Sequence, residues 1–279
     1  MQSVTVDVVA TDGQTIAYNN VDMGGNSAVL LEAEYQPTPG NAVLNVKGVT
    51  FGPECIVDLT GSSSGNDPVI NSSGNTINDG QIYIESGARA ILNIQSGSFV
   101  NDGLIVMNAA PNASSSLAID GNGTFYNNGA ATFSDAVITT NVLGSGDICF
   151  QDAQLGGTGY VTPSADFEGG VGAGQIIDMG SEDGLSRTSL TIGDLRAFKA
   201  SIEDFLPPST VGNGQILNDS ITVKNAVTSF KYQGNSSSGT LALYDGRTEV
   251  GTISFVGNYN NSDFKLTQLS RGETLISHT

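Results

Sequence analysis

The chain has 279 residues, 36 of them glycine and none tryptophan, with 38% hydrophobic and only 14% charged residues. That profile excludes both a helical bundle and a disordered chain, and describes a turn-rich β protein long enough for a continuous core. The net charge of −18 excludes nucleic acid and an anionic membrane as partners, because both would be repelled. Residues 1–180 carry 18 acidic residues against Lys47 and Arg89, whereas residues 181–279 carry 10 against 8 basic ones, so one half is strongly acidic and the other nearly neutral.

Residues 3–9 alternate, with Val4, Val6 and Val8 on one side and Thr5 and Asp7 on the other, as in a half-buried strand. After Asp12-Gly13 a second short strand, Thr15-Ile16-Ala17-Tyr18, follows, and residues 1–26 are expected to form an N-terminal strand cap. Residues 27–58 give short apolar runs, Ala28 to Leu31, Leu44 to Phe51 and Cys55 to Val57, punctuated by Pro37, Pro39-Gly40 and Gly52-Pro53. The polar run from Thr60 to Gly80 resembles a linker by composition, but Val69-Ile70 inside it favours a coil with long corners.

The stretch from Gly74 to Val161 organises the rest. Leu92-Asn93-Ile94 leads to Phe99-Val100-Asn101-Asp102-Gly103, and Leu117-Ala118-Ile119 leads to Phe125-Tyr126-Asn127-Asn128-Gly129, on one template. Gly80 to Gly103 is 23 positions and Gly103 to Gly129 is 26. Strand-length apolar phrases returning at a period in the twenties, separated by Asn, Asp, Gly and Ser, are the signature of a parallel β-helix. The fold class is therefore all-β: a β-solenoid over residues 27–192, between the N-terminal cap and a β-rich C-terminal unit over 193–279. Asn at equivalent positions is expected to form hydrogen-bonded ladders at the corners, and Phe99, Phe125, Phe133 and Phe150 to point inward.

Further on, Leu195, Phe198, Ile202 and Phe205 fit a helix, while Phe198, Ala200 and Ile202 fit a strand; Pro207-Pro208 ends either. The C-terminal runs Val227 to Tyr232, Ser238 to Gly246, Gly251 to Tyr259, Ser262 to Leu266 and Gly272 to Ile276 read as strands with tight turns. Over about residues 195–277 these phrases, with Phe198-Lys199-Ala200-Ser201-Ile202-Glu203-Asp204-Phe205, resemble the terminal unit of repetitive Gly/Asn-rich β-helical secreted or surface proteins of acetic-acid bacteria and relatives. The resemblance implies adhesin- or autotransporter-passenger-like architecture, a strand rather than a helix near Phe198, and a location outside the cell or on its surface. It also departs from those proteins in length and in the self-processing domain that some of them carry.

Chemistry-bearing residues are sparse. Two cysteines, Cys55 and Cys149, lie in apolar runs and read as buried thiols, too few for a disulfide framework or metal cluster. With a single histidine, a His-based triad or zinc site is excluded unless it uses His278, whose terminal position is expected to fray. Glycan-cleaving β-helices pair carboxylates with Arg or Lys on one face. Here only Lys47 and Arg89 precede residue 187, so a polysaccharide-active enzyme is the least favoured of three readings. Gly144-Ser145-Gly146-Asp147-Ile148 echoes a calcium-binding nonapeptide, which makes Asp147 the one candidate calcium ligand; no other cofactor is expected.

The favoured reading is a non-catalytic structural protein whose partner is itself, associating head to tail into a filament or surface assembly through Val4, Val6 and Val8 at one end and Phe264, Leu266, Leu275 and Ile276 at the other. The alternative is a monomeric cell-surface adhesin or passenger fragment that binds a glycan or host protein along one face. No membrane insertion is expected. Met1 to Asp7 lacks the basic and apolar segments of a secretory signal peptide, and together with the two thiols this keeps a cytoplasmic filament open as the alternative location.

Overall fold

A computed structural model describes residues 6–9, 15–19, 22–23, 29–32, 43–60, 68–86, 90–109, 117–150, 163–181, 188–210, 216–270 and 272–279. The chain winds in successive coils of short strands that feed three parallel sheets. In one coil Ile91–Ile94 lies in the first sheet, Ser98–Asn101 in the second and Leu104–Ala109 in the third; the next contributes Leu117–Asp120, Thr124–Asn127 and Ala130–Phe133. Every pairing between these coils is parallel. The result is a parallel β-solenoid.

Alternation puts the odd side chains of each strand outside and the even ones inside, or the reverse, and parallel stacking turns each inward position into a column. On the first sheet one column runs Leu44, Ile70, Leu92, Ile119, Ile138, Phe167, Ile192 and Val223, all essentially buried. The third sheet supplies Val57, Ile82, Ile105, Ala131, Ile148, Ile177, Ile202 and Phe255. On the second, Phe99 and Phe125 pack with ring centroids 6.2 Å apart and are followed by Val142, Val171 and Phe198. Phe133 and Phe150 are likewise inward, in register on the third sheet. Burying columns of this kind at about 25 cal/mol per Å² is what drives the coil, since no single coil encloses a core of its own.

Two features hold the coils in register. Asn78, Asn101 and Asn127, all fully buried at one corner, form a ladder in which Asn78 Nδ2 donates to Asn101 Oδ1 and Asn101 Nδ2 to Asn127 Oδ1, both at 2.8 Å. A second, outer ladder runs through Asn45, Asn71 and Asn93 at 2.9 Å per step. The Asn-Asp-Gly turns and the Asn127-Asn128-Gly129 turn end in a glycine column for a steric reason: a Cβ on Gly103 would lie 2.1 Å from Gly80 O, and one on Gly129 2.1 Å from Gly103 O. Those same carbonyls accept Leu104 N–H and Ala130 N–H, so the close approach is what makes the ladder continuous.

The two-phrase template is in register at Phe99/Phe125, but on the first sheet Leu92 pairs with Ile119 and not Leu117. Of the strands expected in the N-terminal cap, Val6–Val9 pairs in parallel with Val29–Glu32 in a two-stranded sheet of their own, and Thr15–Asn19 pairs in parallel with Val43–Lys47 on the first sheet. The parallel ladder also continues past residue 192, through Ser201–Glu203 and Ser220–Val223. Near Phe198 the backbone is a turn followed by a strand: Asp194 Oδ1 accepts Arg196 N–H (3.0 Å) and Ala197 N–H (3.2 Å), and Phe198 bridges to Val171. The polar passage before Gly80 carries the strands Val69–Ser73 and Asn75–Asn78 and is a coil; residues 61–67 fall outside the described set.

Antiparallel pairing begins with the C-terminal unit. Ser229–Gly234, Ser238–Asp245 and Thr248–Val256 form a meander whose last strand joins the third sheet beside Ser201–Glu203. Phe264–Gln268 and Thr274–His278 form a hairpin joined to Ser220–Val223 on the first sheet. Phe205, Phe255, Phe264, Tyr232 and Tyr259 pack between the two, with Phe255 and Phe264 centroids 5.1 Å apart. His278, near the chain terminus, is placed on this hairpin: it sits opposite Phe264, its ring 5.8 Å from Phe205 and 6.0 Å from Tyr259.

Candidate functional site: an acidic column and two unlike ends

Asp147, the calcium candidate, lies exposed on the outer face of the third sheet between Ala130 and Ile176. Its carbonyl accepts Asn127 Nδ2 at 3.0 Å, which is a corner role. The coil at Gly144 has no Asn at the ladder position, and Gln175 from the next coil spans the gap, donating to Asn127 O (2.7 Å) and Leu143 O (3.1 Å). Gly144-Ser145-Gly146 is thus the place where a longer side chain passes.

Asp147 belongs to a wider group that composition alone did not single out. In the neighbouring outward row, Thr132, Cys149, Asp178 and Glu203 follow one another, with Asp204 beside them. Partial burial pushes the Asp178 carboxyl up; the Gly180 N–H, at 2.8 Å, opposes this, and Asp204 and Asp147 add to it. Glu203 is raised in the same way, first by burial and then by Asp204, Asp178 and Asp147. Among the described residues, no three of His, Cys, Asp and Glu converge to hold a metal ion. The column can hold protons and repel anions. Cys149 is partly exposed here, unlike Cys55, which is buried as expected.

Val4 lies outside the described residues, and Val6 and Val8 pair with Val29 and Leu31 on the outermost described strand of their sheet. The Phe264 and Ile276 side chains are buried in the protein's own core, so neither side chain offers a surface to a partner. Leu266 packs on that core with part of its surface exposed, and Leu275 faces out beside Thr222. Two other polar groups are structural. Lys224 Nζ bridges Asp166 (3.0 Å) and Glu168 (3.4 Å) across the first sheet, and buried Asp219 accepts Thr188 N–H (2.8 Å) and Leu206 N–H (2.6 Å). Neither was legible in advance, because each joins residues from separate coils.

The fold defines a parallel β-solenoid closed at one end by an antiparallel unit. No protein-family model matches the sequence, and no curated protein matches it. No helix among the described residues is long and apolar enough to cross a membrane.

Proposed function

We propose that the chain is a non-catalytic structural β-solenoid whose partner is a second copy of itself, the copies associating head to tail into a filament or a surface assembly. What supports the reading is the unlike construction of the two ends: parallel edge strands in a strongly acidic segment at one, antiparallel strands of balanced charge at the other. Contact between unlike ends is heterologous and adds copies along one axis without closing. The resemblance over residues 195–277 supports a place outside the cell or on its surface. Sedimentation velocity over a wide concentration range, with electron microscopy of the same samples, tests it; rods of constant width that lengthen with concentration are expected. Monomers at every concentration would sink it and leave the second reading, an adhesin-like rod or passenger fragment, which the acidic column favours as a face for a cationic partner.

A further inference from the structure

One edge of one sheet is built to receive the second copy, an inference that rests on the head-to-tail reading. Among the described residues, the first sheet has eleven strands and is bounded by Thr15–Asn19 on one side and Phe264–Gln268 on the other. From Thr15–Asn19 to Ser220–Val223 its strands are all parallel. Thr274–His278 then reverses direction, and Phe264–Gln268 reverses it again. Two reversals restore the original sense, so the last strand of the sheet runs the same way as the first. A copy displaced along the rod meets that edge with its own Thr15–Asn19 in the parallel orientation used throughout the solenoid.

The alternation of the hairpin turns part of that edge's backbone outward, with Leu266 partly exposed and Gln268 exposed. Leu269 N–H donates to Glu273 O at 2.9 Å and Thr279 N–H to Asp263 O at 3.1 Å, which sets the alternation of the hairpin. Phe264, Leu266 and Gln268 therefore turn their backbone N–H and C=O groups away from Thr274–His278. The other C-terminal edge strand, Ser229–Gly234, differs: its Tyr232 N–H is taken by Asn261 Oδ1 at 2.7 Å. Charge points the same way, since Phe264–Gln268 carries Lys265 and no carboxylate, while residues 1–42 hold Asp7, Asp12, Asp22, Glu32 and Glu34 with no Lys or Arg. We propose that Phe264–Gln268 accepts Thr15–Asn19 of a second copy, so that this sheet continues in parallel register sense from molecule to molecule.

The test combines amide hydrogen exchange on the unaltered protein at rising concentration with sedimentation of Leu266→Pro. Proline removes an outward N–H that the hairpin does not use and is tolerated on edge strands. The expected result is concentration-dependent protection of Leu266, Gln268 and residues 15–19, with the Tyr232 amide, already held by Asn261, unchanged. Association of Leu266→Pro is expected to fall by at least about tenfold, the order of one or two lost backbone hydrogen bonds. Association without protection at these amides overturns the edge assignment and leaves head-to-tail contact standing. Absence of any association overturns both. The exchange arm needs no variant, so it decides even where Leu266→Pro fails to fold.

Discussion

Replacing Asn101 with alanine tests whether the buried ladder or the apolar columns set the register. Asn101 makes three side-chain hydrogen bonds: it accepts from Asn78 and donates to Asn127 Oδ1, both at 2.8 Å, and donates to Ala130 O at 3.0 Å. In Asn101→Ala the Asn127 amide oxygen loses that donor inside the protein, whereas Asn78 Nδ2 keeps Leu104 O at 3.2 Å. At about 1 kcal/mol net per bond, with about 1–3 kcal/mol more for a buried group stranded without its partner, the loss comes to about 4–6 kcal/mol. Asn71→Ala in the outer ladder also breaks two bonds of 2.9 Å, but water replaces them, and about 1 kcal/mol is expected. Urea unfolding followed by circular dichroism gives the difference. Native-state hydrogen exchange should show the Asn101→Ala effect concentrated in residues 75–133 and weak at 229–278, because coils contact only their neighbours. Equal losses for the two variants, within about 1 kcal/mol, would refute the ladder's role in setting register.

The glycine column gives a paired comparison: Gly103→Ala, whose Cβ meets backbone at 2.1 Å, should cost about 3 kcal/mol, while Gly246→Ala, with open space but φ +60°, should cost about 1 kcal/mol, both read from thermal melts. Asp178 and Glu203 have folded carboxyls raised above their unfolded values, so their ionisation opposes folding at neutral pH and the penalty fades as pH falls through the folded values. Asp178→Asn and Glu203→Gln should therefore raise Tm at neutral pH and lose that advantage in acid; a gain that persists below the carboxylate range contradicts the assignment. Burial pushes the Tyr259 hydroxyl up to about 12, so the unfolded chain ionises it first and stability falls as pH climbs above the ordinary tyrosine value. Tyr259→Phe should flatten that alkaline limb in pH-dependent unfolding and remove one late-titrating phenol from the ultraviolet titration.

Pattern read from residues reached the architecture because the solenoid repeats one local rule. The spacing of Gly80, Gly103 and Gly129 is the spacing of the coils: Gln81 pairs with Leu104 and Leu104 with Ala130. The offset on the first sheet was hidden for a specific reason. Pairing Leu92 with Leu117 or with Ile119 shifts the strand by two residues, and a shift of two leaves every side chain on the same face. Beyond Gly129 the coil length changes abruptly, with Ala130 pairing Asp147 and Asp147 pairing Ile176, so no fixed period describes it. The acidic column eluded sequence reading for a similar reason. Asp147, Asp178 and Glu203 are far apart along the chain and meet only once coils of unequal length are stacked. The outward-turned edge at Phe264–Gln268 depends on two strand reversals, which hydrophobic alternation does not encode.

The direction of the two asparagine ladders has a mechanical meaning. Their hydrogen bonds run along the rod, as do those of the three sheets, while the covalent chain runs around it. A pull on the two ends is therefore borne first by noncovalent bonds, coil against coil in series, and opening one interface lets out covalent chain and relieves the load on its neighbours. A rod built this way yields in discrete steps, beginning where the Asn78–Asn101–Asn127 ladder no longer reinforces the interface. Squeezed across its width, the same rod meets packed Phe and Ile columns enclosed by continuous backbone, and it is stiff in that direction.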